Sequence, residues 1–310
     1  MDLSFLNAVA EASPIVVEPT TTVAGRTVHI DADMLCYVGG GKEGTTVAAS
    51  RNIVQRMVRD FEGHAGAENA MLHMTASGCL KGDRVLMPIG YQTHRKSGRR
   101  PENWQYLRDW IPSYDGPEFK TKVWFDREAD DGFGWVSTSR PNDVICTNDK
   151  DMRMLPGLHL DWMTKQMVEV PKDCYELVAN GKVYGYKWFL LQLLQGDTAD
   201  GIRGIGKFSG APRGCGEKTA EKFLKGTTCK EDGIQQVIEL YECAFGDAWG
   251  YELAQQAILL WIRRGKSALI DEFLAFMPMT DKQRAQVVLG LVHIKDHVKQ
   301  MKDEAASLCR

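Results

Sequence analysis

The sequence lacks the residue spacings that mark several common catalytic and metal sites. Its eight cysteines include no Cys-x-x-Cys pair and no Cys/His set of zinc type. It has no Gly-x-Ser-x-Gly signature and no P-loop, which argues against a serine-elbow hydrolase and a P-loop NTPase. An even number of cysteines is compatible with disulfides, but the chain length and the absence of a secretory segment favour free thiols.

Long apolar runs and N-terminal positive charge are also missing. The longest clearly apolar run, residues 257–262, is far too short to span a membrane. No Lys or Arg precedes Arg26, so the start of the chain does not have the pattern of a signal or transit peptide. There is no internal repeat and no low-complexity tract. We therefore expect a soluble intracellular protein with no membrane partner.

The periodicity of the remaining residues predicts an α/β protein. A Pro/Thr-rich stretch ends a loosely attached extension at 1–24. Strands alternating with helical segments then predict a mostly parallel central sheet flanked by helices over 25–187. Helices and glycine-rich turns predict a helical region over 188–310. The expected strands are 27–30, 70–74, 122–125 and 143–147, and the expected helices include 46–62, one from Ala129 onward, 188–194, 217–224 and 251–264.

Acidic residues are concentrated in short motifs. Asp31 and Asp149 each follow a predicted strand, where open α/β sheets bind ligands. Many converging carboxylates repel one another and need a cation, and oxygen ligands favour Mg²⁺ or Mn²⁺. Two such ions catalyse displacement at a phosphodiester, so the motifs predict a metal-dependent nuclease. Acids at a helix start also complement the helix dipole, which is the alternative explanation for Glu128, Asp130 and Asp131 at the predicted helix start. The motifs are Asp149 and Asp151; Glu128, Asp130 and Asp131; and Asp197 and Asp200.

Basic residues and glycines suggest contacts with a nucleic acid. The net charge of −3 alone would argue against a polyanionic partner, but a phosphate backbone meets local charge and not the total. The segment 91–101 carries four basic residues beside Tyr91, which is available for base stacking. The alternative for this run is an ordinary solvated face. Glycines at 204–216 followed by a helix would let backbone N–H groups approach phosphates.

Together these motifs resemble the 5′ nuclease family, which comprises flap endonucleases, polymerase-linked 5′-3′ exonucleases and phage 5′-exonucleases. The resemblance covers about residues 27–225 and is strongest to the exonucleases of short-tailed phages. It rests on four acidic elements in the family's order. Two departures stand out. Neither Thr75 nor Ser77, where the family has an aspartate, is a carboxylate, and Asp83 is the next candidate for that role. Gln92 replaces a lysine.

The resemblance implies a fold, a cofactor and a substrate. The fold would be a PIN-like 5′ nuclease core with a basic arch near 84–110 and a helix–hairpin–helix element in the helical region. Two Mg²⁺ ions, replaceable by Mn²⁺, would be bound by Asp31, Glu128, Asp130 and Asp149, and by Asp131, Asp151, Asp197 and Asp200. Arg95 and Lys96 would stabilise the scissile phosphate. The expected DNA-binding residues are Arg84, Tyr91, Arg95, Lys96, Arg99, Arg100, Gly204, Gly206, Gly214, Gly216, Lys218 and Lys222.

The expected activity is 5′-3′ exonuclease digestion of duplex DNA, with flap cleavage and RNase H-like hydrolysis of RNA–DNA hybrids as side activities. Replication or recombination proteins would be further partners, and a phage protein would act in the host cytoplasm. Three alternatives stay open: a structure-specific flap endonuclease, a PIN-type ribonuclease and a non-catalytic DNA-binding module. The last would not need so many converging acids, because they oppose DNA binding unless metals are present.

Overall fold

The computed structural model describes residues 21–93 and 98–308. Arg95, Lys96 and most of the predicted extension 1–24 therefore lie outside the described residues. The chain forms two compact units. The predicted boundary between residues 187 and 188 stays a prediction. Among the described residues, the first unit contains 21–79, 98–152 and 156–172, and the second contains 80–93, 153–155 and 173–308.

The first unit is built on a six-stranded sheet in the order β3-β2-β1-β4-β5-β6. Neighbouring strands are parallel except for β6, which runs antiparallel to β5. The prediction of a mostly parallel sheet with flanking helices is thus confirmed. The strands are β1 (Thr27–Asp31), β2 (Asn69–Thr75), β3 (Lys120–Trp124), β4 (Val144–Thr147), β5 (Gly157–Asp161) and β6 (Met167–Val170); the helices are α1 (Ala32–Gly39), α2 (Val47–Ala65), α3 (Trp104–Ser113) and α4 (Ala129–Ser139).

Alternation along the strands places two kinds of side chain on the two faces of the sheet. Val28, Ile30 and Leu72 belong to a hydrophobic core that also contains Leu35 of α1 and Phe61 of α2. Successive strand residues point to opposite faces, so the residues between them lie on the other side. The first face is therefore an ordinary apolar core, whereas the second has a polar component.

That polar component is a row of four hydrogen-bonded side chains, here called the imidazole chain. Its members come from β3, β2, β1 and the residue just before β4. The indole of Trp124 donates to Nδ1 of His73 at 3.1 Å. An indole can only donate, so His73 has its proton on Nε2, from which it donates to Nδ1 of His29 at 2.8 Å. His29 in turn donates from Nε2 to Asp143 at 3.2 Å. Burial, and after it the neighbouring His29 and Lys122, lower the pKa of His73 well below its usual range, so His73 is neutral at the centre of this arrangement.

The second unit is mainly helical, which confirms the predicted helical C-terminal region. Its core includes an edge-to-face pair between Phe189 and Trp261, whose ring centroids are 5.0 Å apart. No helix among the described residues is both long and apolar enough to cross a membrane. The elements are the antiparallel pair β7 (Leu177–Ala179) and β8 (Lys182–Tyr184), followed by α5 (Tyr186–Gln195), α6 (Glu217–Phe223), α7 (Lys230–Phe245), α8 (Trp249–Leu260) and α9 (Asp281–Leu308).

Glycine permits a tight backbone contact after α5. Gly196 and Gly204 both have positive φ, at 72° and 62°. A Cβ atom on Gly204 would collide with the carbonyl oxygen of Leu194 and with the backbone of Gly196. Only glycine combines this conformation with so close an approach. The turn that carries Asp197 and Asp200 is thereby held against the end of α5.

Candidate metal centre

The carboxylate of Asp31 lies at the carboxyl end of β1 and joins this strand to β4. One oxygen accepts the backbone N–H of Met34 at 3.0 Å and so caps α1. The other accepts the hydroxyl of Thr147, the last residue of β4, at 3.3 Å. Thr147 also accepts the backbone N–H of Asp149 at 3.0 Å. The parallel arrangement of β1 and β4 thus brings Asp31 and Asp149 to the same edge of the sheet.

A short turn after β4 adds a further carboxylate. Asp149 accepts the backbone N–H of Asp151 at 2.8 Å, which begins the 3₁₀ helix Lys150–Met154. Asp149 is half-buried and Asp151 is buried. The backbone N–H groups of both aspartates of the Asp-Lys-Asp motif are therefore held by hydrogen bonds to side chains.

The start of α4 brings three more acids to this unit. Glu128 is the residue that precedes the helix, yet its side chain makes no capping hydrogen bond. The backbone N–H of Ala129 donates instead to the hydroxyl of Thr75 at 3.0 Å. Glu128 and Asp131 are buried, whereas Asp130 is half-buried. The absence of a cap by Glu128 argues that these acids do more than complement the helix dipole.

The pKa values show that several of these carboxylates act on one another. Burial, the charge of Asp33 and the charge of Asp149 raise the pKa of Asp31 to about 7. The pKa of Asp130 is raised well above its usual range. Burial is the largest cause, and the others are four neighbouring carboxylates. We call this group the acidic cluster: Asp31, Glu128, Asp130, Asp149 and Asp151.

The donor set of the acidic cluster suits a hard divalent cation. The side chains of the acidic cluster offer only carboxylate oxygens as metal ligands. Mg²⁺ and Mn²⁺ prefer such oxygens over the nitrogen and sulfur ligands typical of zinc. Burial and the proximity of other carboxylates disfavour the ionised forms, as the raised pKa values of Asp31 and Asp130 show. A bound dication would reverse this effect, because it favours the ionised carboxylates. The residues of the first unit therefore fit a metal centre.

An ion pair beside the acidic cluster was not predicted from the sequence. Arg108 of α3 pairs with Asp33 and also donates to the carbonyl oxygen of Thr75. Asp33 accepts the backbone N–H of Thr75 at 3.1 Å. Because Thr75 also binds Ala129, the contacts link α1, α3, β2 and the start of α4. The spacing Asp31-Ala-Asp33 was the available signal for Asp33.

The same contacts explain what occupies the region of the missing carboxylate. Thr75 ends β2 and uses its N–H, carbonyl and hydroxyl groups in the contacts just described. Ser77 is exposed, and Asp83 belongs to the second unit, where it pairs with Lys302 at 2.8 Å. In the first unit Asp33 therefore supplies a carboxylate beside the end of β2.

Asp197 and Asp200 are buried in a turn of the second unit. Asp197 accepts the backbone N–H of Ala199 at 2.8 Å. Asp200 accepts the hydroxyl of Tyr91 at 3.3 Å and the amide of Gln92 at 3.0 Å. Tyr91 is itself buried. Besides Asp200, its ring faces Lys81, whose Nζ lies 5.5 Å from the ring centroid. Gln92, which replaces the family's lysine, thus helps to hold an acidic residue of the turn.

Arg84 has a structural environment in the second unit. Its side chain is buried and donates to the carbonyl oxygens of Ile258 at 3.3 Å and Trp261 at 2.7 Å. These carbonyls lie at the end of α8, where helix carbonyls lack partners within the helix. We therefore leave Arg84 out of the proposed DNA-binding residues. The sequence offered no signal for this contact, because it joins positions 174 and 177 residues apart.

The other predicted DNA-binding residues are placed as follows. Arg99 is exposed, and the guanidinium of Arg100 lies 3.9 Å from the centroid of the Trp104 ring. Lys218 and Lys222 are exposed on α6. Gly206 and Gly214 have positive φ, at 62° and 101°, whereas Gly216 directly precedes α6. These positions leave the predicted roles untested.

Comparison with known proteins identifies the fold. No family model matches the chain, and no curated protein matches its sequence. Among solved structures, the chain is similar to the phage T5 D15 protein co-crystallised with metal ions, with a TM-score of 0.51 and 13% identity over 92% of this chain and 100% of that one. It is also similar to a mutant T5 5′-exonuclease, with a TM-score of 0.49 and 14% identity over 88% of this chain and 99% of that one. The first likeness confirms, at the level of fold, the 5′ nuclease resemblance that the motifs predict.

Proposed function

We propose that this protein is a metal-dependent 5′-3′ exodeoxyribonuclease that degrades duplex DNA from its 5′ ends, with flap cleavage and RNase H-like hydrolysis as side activities. The observation that carries the proposal is the acidic cluster at the carboxyl edge of a parallel sheet, with the raised pKa values of Asp31 and Asp130. Burying carboxylates beside one another in this way is unfavourable unless they bind cations. A phosphodiester substrate is the partner that two-metal chemistry fits best.

The proposed roles of the acids rest on the motif resemblance. Asp31, Glu128, Asp130 and Asp149 would hold one Mg²⁺ ion. Asp131, Asp151, Asp197 and Asp200 would hold a second, partly through water, because Mg²⁺ loses its hydration shell reluctantly. Bound ions would supply the positive charge that activates a water and offsets the charge on the leaving 3′ oxygen. Mn²⁺ is the expected substitute.

Other residues would bind and orient the DNA. Arg95, Lys96, Arg99 and Arg100 would contact phosphates near the cut, and Lys150 would add charge beside it. The glycine turn and α6, with Lys218 and Lys222, would hold the duplex as a helix–hairpin–helix element. Cleavage polarity must come from this grip, since two-metal chemistry itself prefers neither strand end. Replication or recombination proteins are the proposed protein partners.

The decisive experiment is digestion of linear duplex DNA labelled at either the 5′ or the 3′ terminus, with Mg²⁺ or with EDTA. We expect short products from 5′ ends, resistance of closed circular duplex and no cleavage in EDTA. Asp130→Asn and Asp149→Asn should lower the rate by orders of magnitude while DNA binding persists. Asp115→Asn is the matched control, because Asp115 is fully exposed and lies outside the acidic cluster.

Three outcomes would contradict the proposal or redirect it. Release from 3′ ends or rapid cutting of closed circles would exclude a 5′-3′ exonuclease. Wild-type rates in both cluster variants would show that the acids are not catalytic. Cleavage confined to flap junctions would instead identify a structure-specific flap endonuclease.

A further inference from the structure

Phe125 is the most exposed of the large hydrophobic side chains in the described ranges 21–93 and 98–308, at 75%. Single exposed apolar residues are common on protein surfaces and need no special explanation. Two further features distinguish Phe125: it lies close to Glu128 of the acidic cluster, and hydrogen bonds hold the backbone of its loop. Both concern the first unit alone.

Phe125 lies at the edge of the sheet that carries the acidic cluster. It follows Trp124, which is the last residue of β3 and is paired in register with Thr75. Three residues later the chain reaches Glu128. Three trans peptide units span at most about 11 Å between Cα atoms. Along a stacked DNA strand this distance corresponds to about three nucleotides.

The loop that carries Phe125 is fixed at both ends by the segment after β2. The backbone N–H of Ala76 donates to the carbonyl oxygen of Trp124 at 2.8 Å. The thiol of Cys79 donates to the carbonyl oxygen of Arg127 at 3.4 Å, and Arg127 is buried. An anchored backbone therefore holds the aromatic ring in solvent.

We propose that Phe125 is a stacking platform for an unpaired nucleobase within about three nucleotides of the phosphodiester that is cut. This proposal rests on the proposed nuclease function and deepens it. An exposed aromatic ring stacks on any base, because every base has a π-face, so the contact selects unpaired structure and not sequence. A base inside a duplex has both faces covered by its neighbours. Phe125 would thus favour ends that are frayed or single-stranded.

The test uses duplex DNA with a short 5′ single-stranded extension that carries 2-aminopurine at successive positions near the junction. Binding is measured in EDTA, where the proposed cleavage does not occur. We expect wild-type protein to quench the fluorescence at one position by stacking, and Phe125→Ala to abolish this quenching. The variant should also bind about tenfold more weakly, as expected for one lost stacking contact.

Two further variants and one modified DNA separate stacking from general packing. Phe125→Trp should restore quenching and affinity, whereas Phe125→Leu, which is apolar but has no aromatic ring, should not. On DNA that lacks the base at the quenched position, wild type and Phe125→Ala should bind equally. Val178→Ala is the matched control, because Val178 is also highly exposed, at 65%, but belongs to the second unit.

The outcomes distinguish this inference from the proposed function. Equal affinities of wild type and Phe125→Ala on intact DNA would overturn the stacking role, even if cleavage proceeded as proposed. An equal loss on intact and abasic DNA would also overturn it, since the residue would then act only through structure or through a contact with another group. Base-dependent binding by a protein that never cleaves DNA would support the stacking role and refute the nuclease. A wild-type protein that binds this DNA neither in EDTA nor with Mg²⁺ would overturn both.

Discussion

At the scale of single residues, the acidic cluster should destabilise the metal-free protein. The pKa of Asp31 is about 7 in the folded protein, against an ordinary value of 3.8. The folded state therefore holds a proton between these values that the unfolded state has lost, and its stability falls as the pH rises through that interval. Above about pH 7 Asp31 is ionised, and its charge then destabilises the folded state because it is buried beside other carboxylates. Asp31→Asn should then raise the free energy of unfolding at pH 8 by about 1–3 kcal/mol.

The prediction is checked by urea unfolding in EDTA and again with Mg²⁺. Asparagine can still cap α1 through its amide oxygen, but its amide nitrogen cannot accept the hydroxyl of Thr147, so the substitution removes the charge and one hydrogen bond. Mg²⁺ should stabilise wild type more than Asp31→Asn, and Asp115→Asn should behave as wild type in both conditions. A less stable Asp31→Asn protein in EDTA would show that its hydrogen bonds outweigh the repulsion.

The pair formed by Arg108 and Asp33 should be coupled in stability. The Arg108 side chain is only 10% exposed and that of Asp33 is 34% exposed, so removing either leaves a poorly solvated charge. We expect Arg108→Met and Asp33→Asn each to cost about 1–3 kcal/mol. The double variant should cost less than their sum, and urea unfolding of all four proteins measures the difference. Strict additivity would mean that the pair contributes nothing.

The site residues differ in how far the sequence could predict them. Asp31 and Asp149 follow predicted strands, and the rule that parallel strands end at a common edge was enough to bring them together. The sequence analysis names Tyr91 and Arg84 as DNA-binding residues, but both are buried. Their burial depends on Asp200 and on the end of α8, contacts that span more than one hundred residues.

At the scale of elements, strong local patterns predicted well and short polar ones did not. The predicted helix at 46–62 appears as Val47–Ala65, with Thr46 capping its start and Gly66 in the left-handed conformation at its end. β5 and β6 were missed. Gly157–Asp161 contains glycine, histidine and aspartate, and its strand conformation depends on pairing with β4 and β6. Such pairing is tertiary and leaves little local signal.

Helix α4 should be sensitive to a change that would normally favour a helix. A Cβ atom on Gly132 would lie 2.5 Å from ring atoms of Trp124, far inside contact distance. Gly132→Ala should therefore destabilise the protein by about 1–3 kcal/mol despite the better helix propensity of alanine. Thermal unfolding measures the effect. Thr138→Ala, an exposed position on the same helix, should change stability little, and a stabilised Gly132→Ala protein would contradict the assigned packing.

At the scale of the whole molecule, the imidazole chain should make stability depend on pH. The pKa of His73 lies well below the 6.5 of a model histidine, so below about pH 6.5 the unfolded chain binds a proton that the folded one does not. The stability that His73 contributes is thus complete above this pH and declines as the pH falls. Asp143 acts in the same direction at lower pH. Burial raises the pKa of Asp143, but the hydrogen bonds from His29 and Thr27 lower it by more, so the net pKa is below its usual value.

A comparison of wild type with His73→Gln tests this dependence. The acidic cluster is common to both proteins, so its opposite pH dependence should largely cancel in the difference. We expect the variant to be less stable at pH 8 and the gap to narrow between pH 6.5 and pH 5, as measured by urea unfolding. A constant gap would mean that His73 has the same pKa in the folded and unfolded states, and a gap that widens would mean that its pKa is raised in the folded state.

The overall architecture was more predictable than its second unit. Four predicted strands and the helices between them sufficed for a parallel α/β sheet, because the alternation of strand and helix permits few topologies. The segment from Gly196 to Gly216 was recognised by its glycines and by the acidic pair Asp197 and Asp200. Its conformation depends on close backbone contacts such as that of Gly204 with Leu194, which composition does not reveal.

The imidazole chain also bears on how the sheet avoids misfolding. Its four members come from β1, β2, β3 and the residue just before β4, and each must meet one particular neighbour. If one strand slipped by a single residue, its histidine would turn to the opposite face and leave polar groups buried among Val28, Ile30 and Leu72. An all-apolar sheet could tolerate such a slip at modest cost. Here such a slip would break the hydrogen bonds of the imidazole chain, so these bonds favour the native register of the strands during folding.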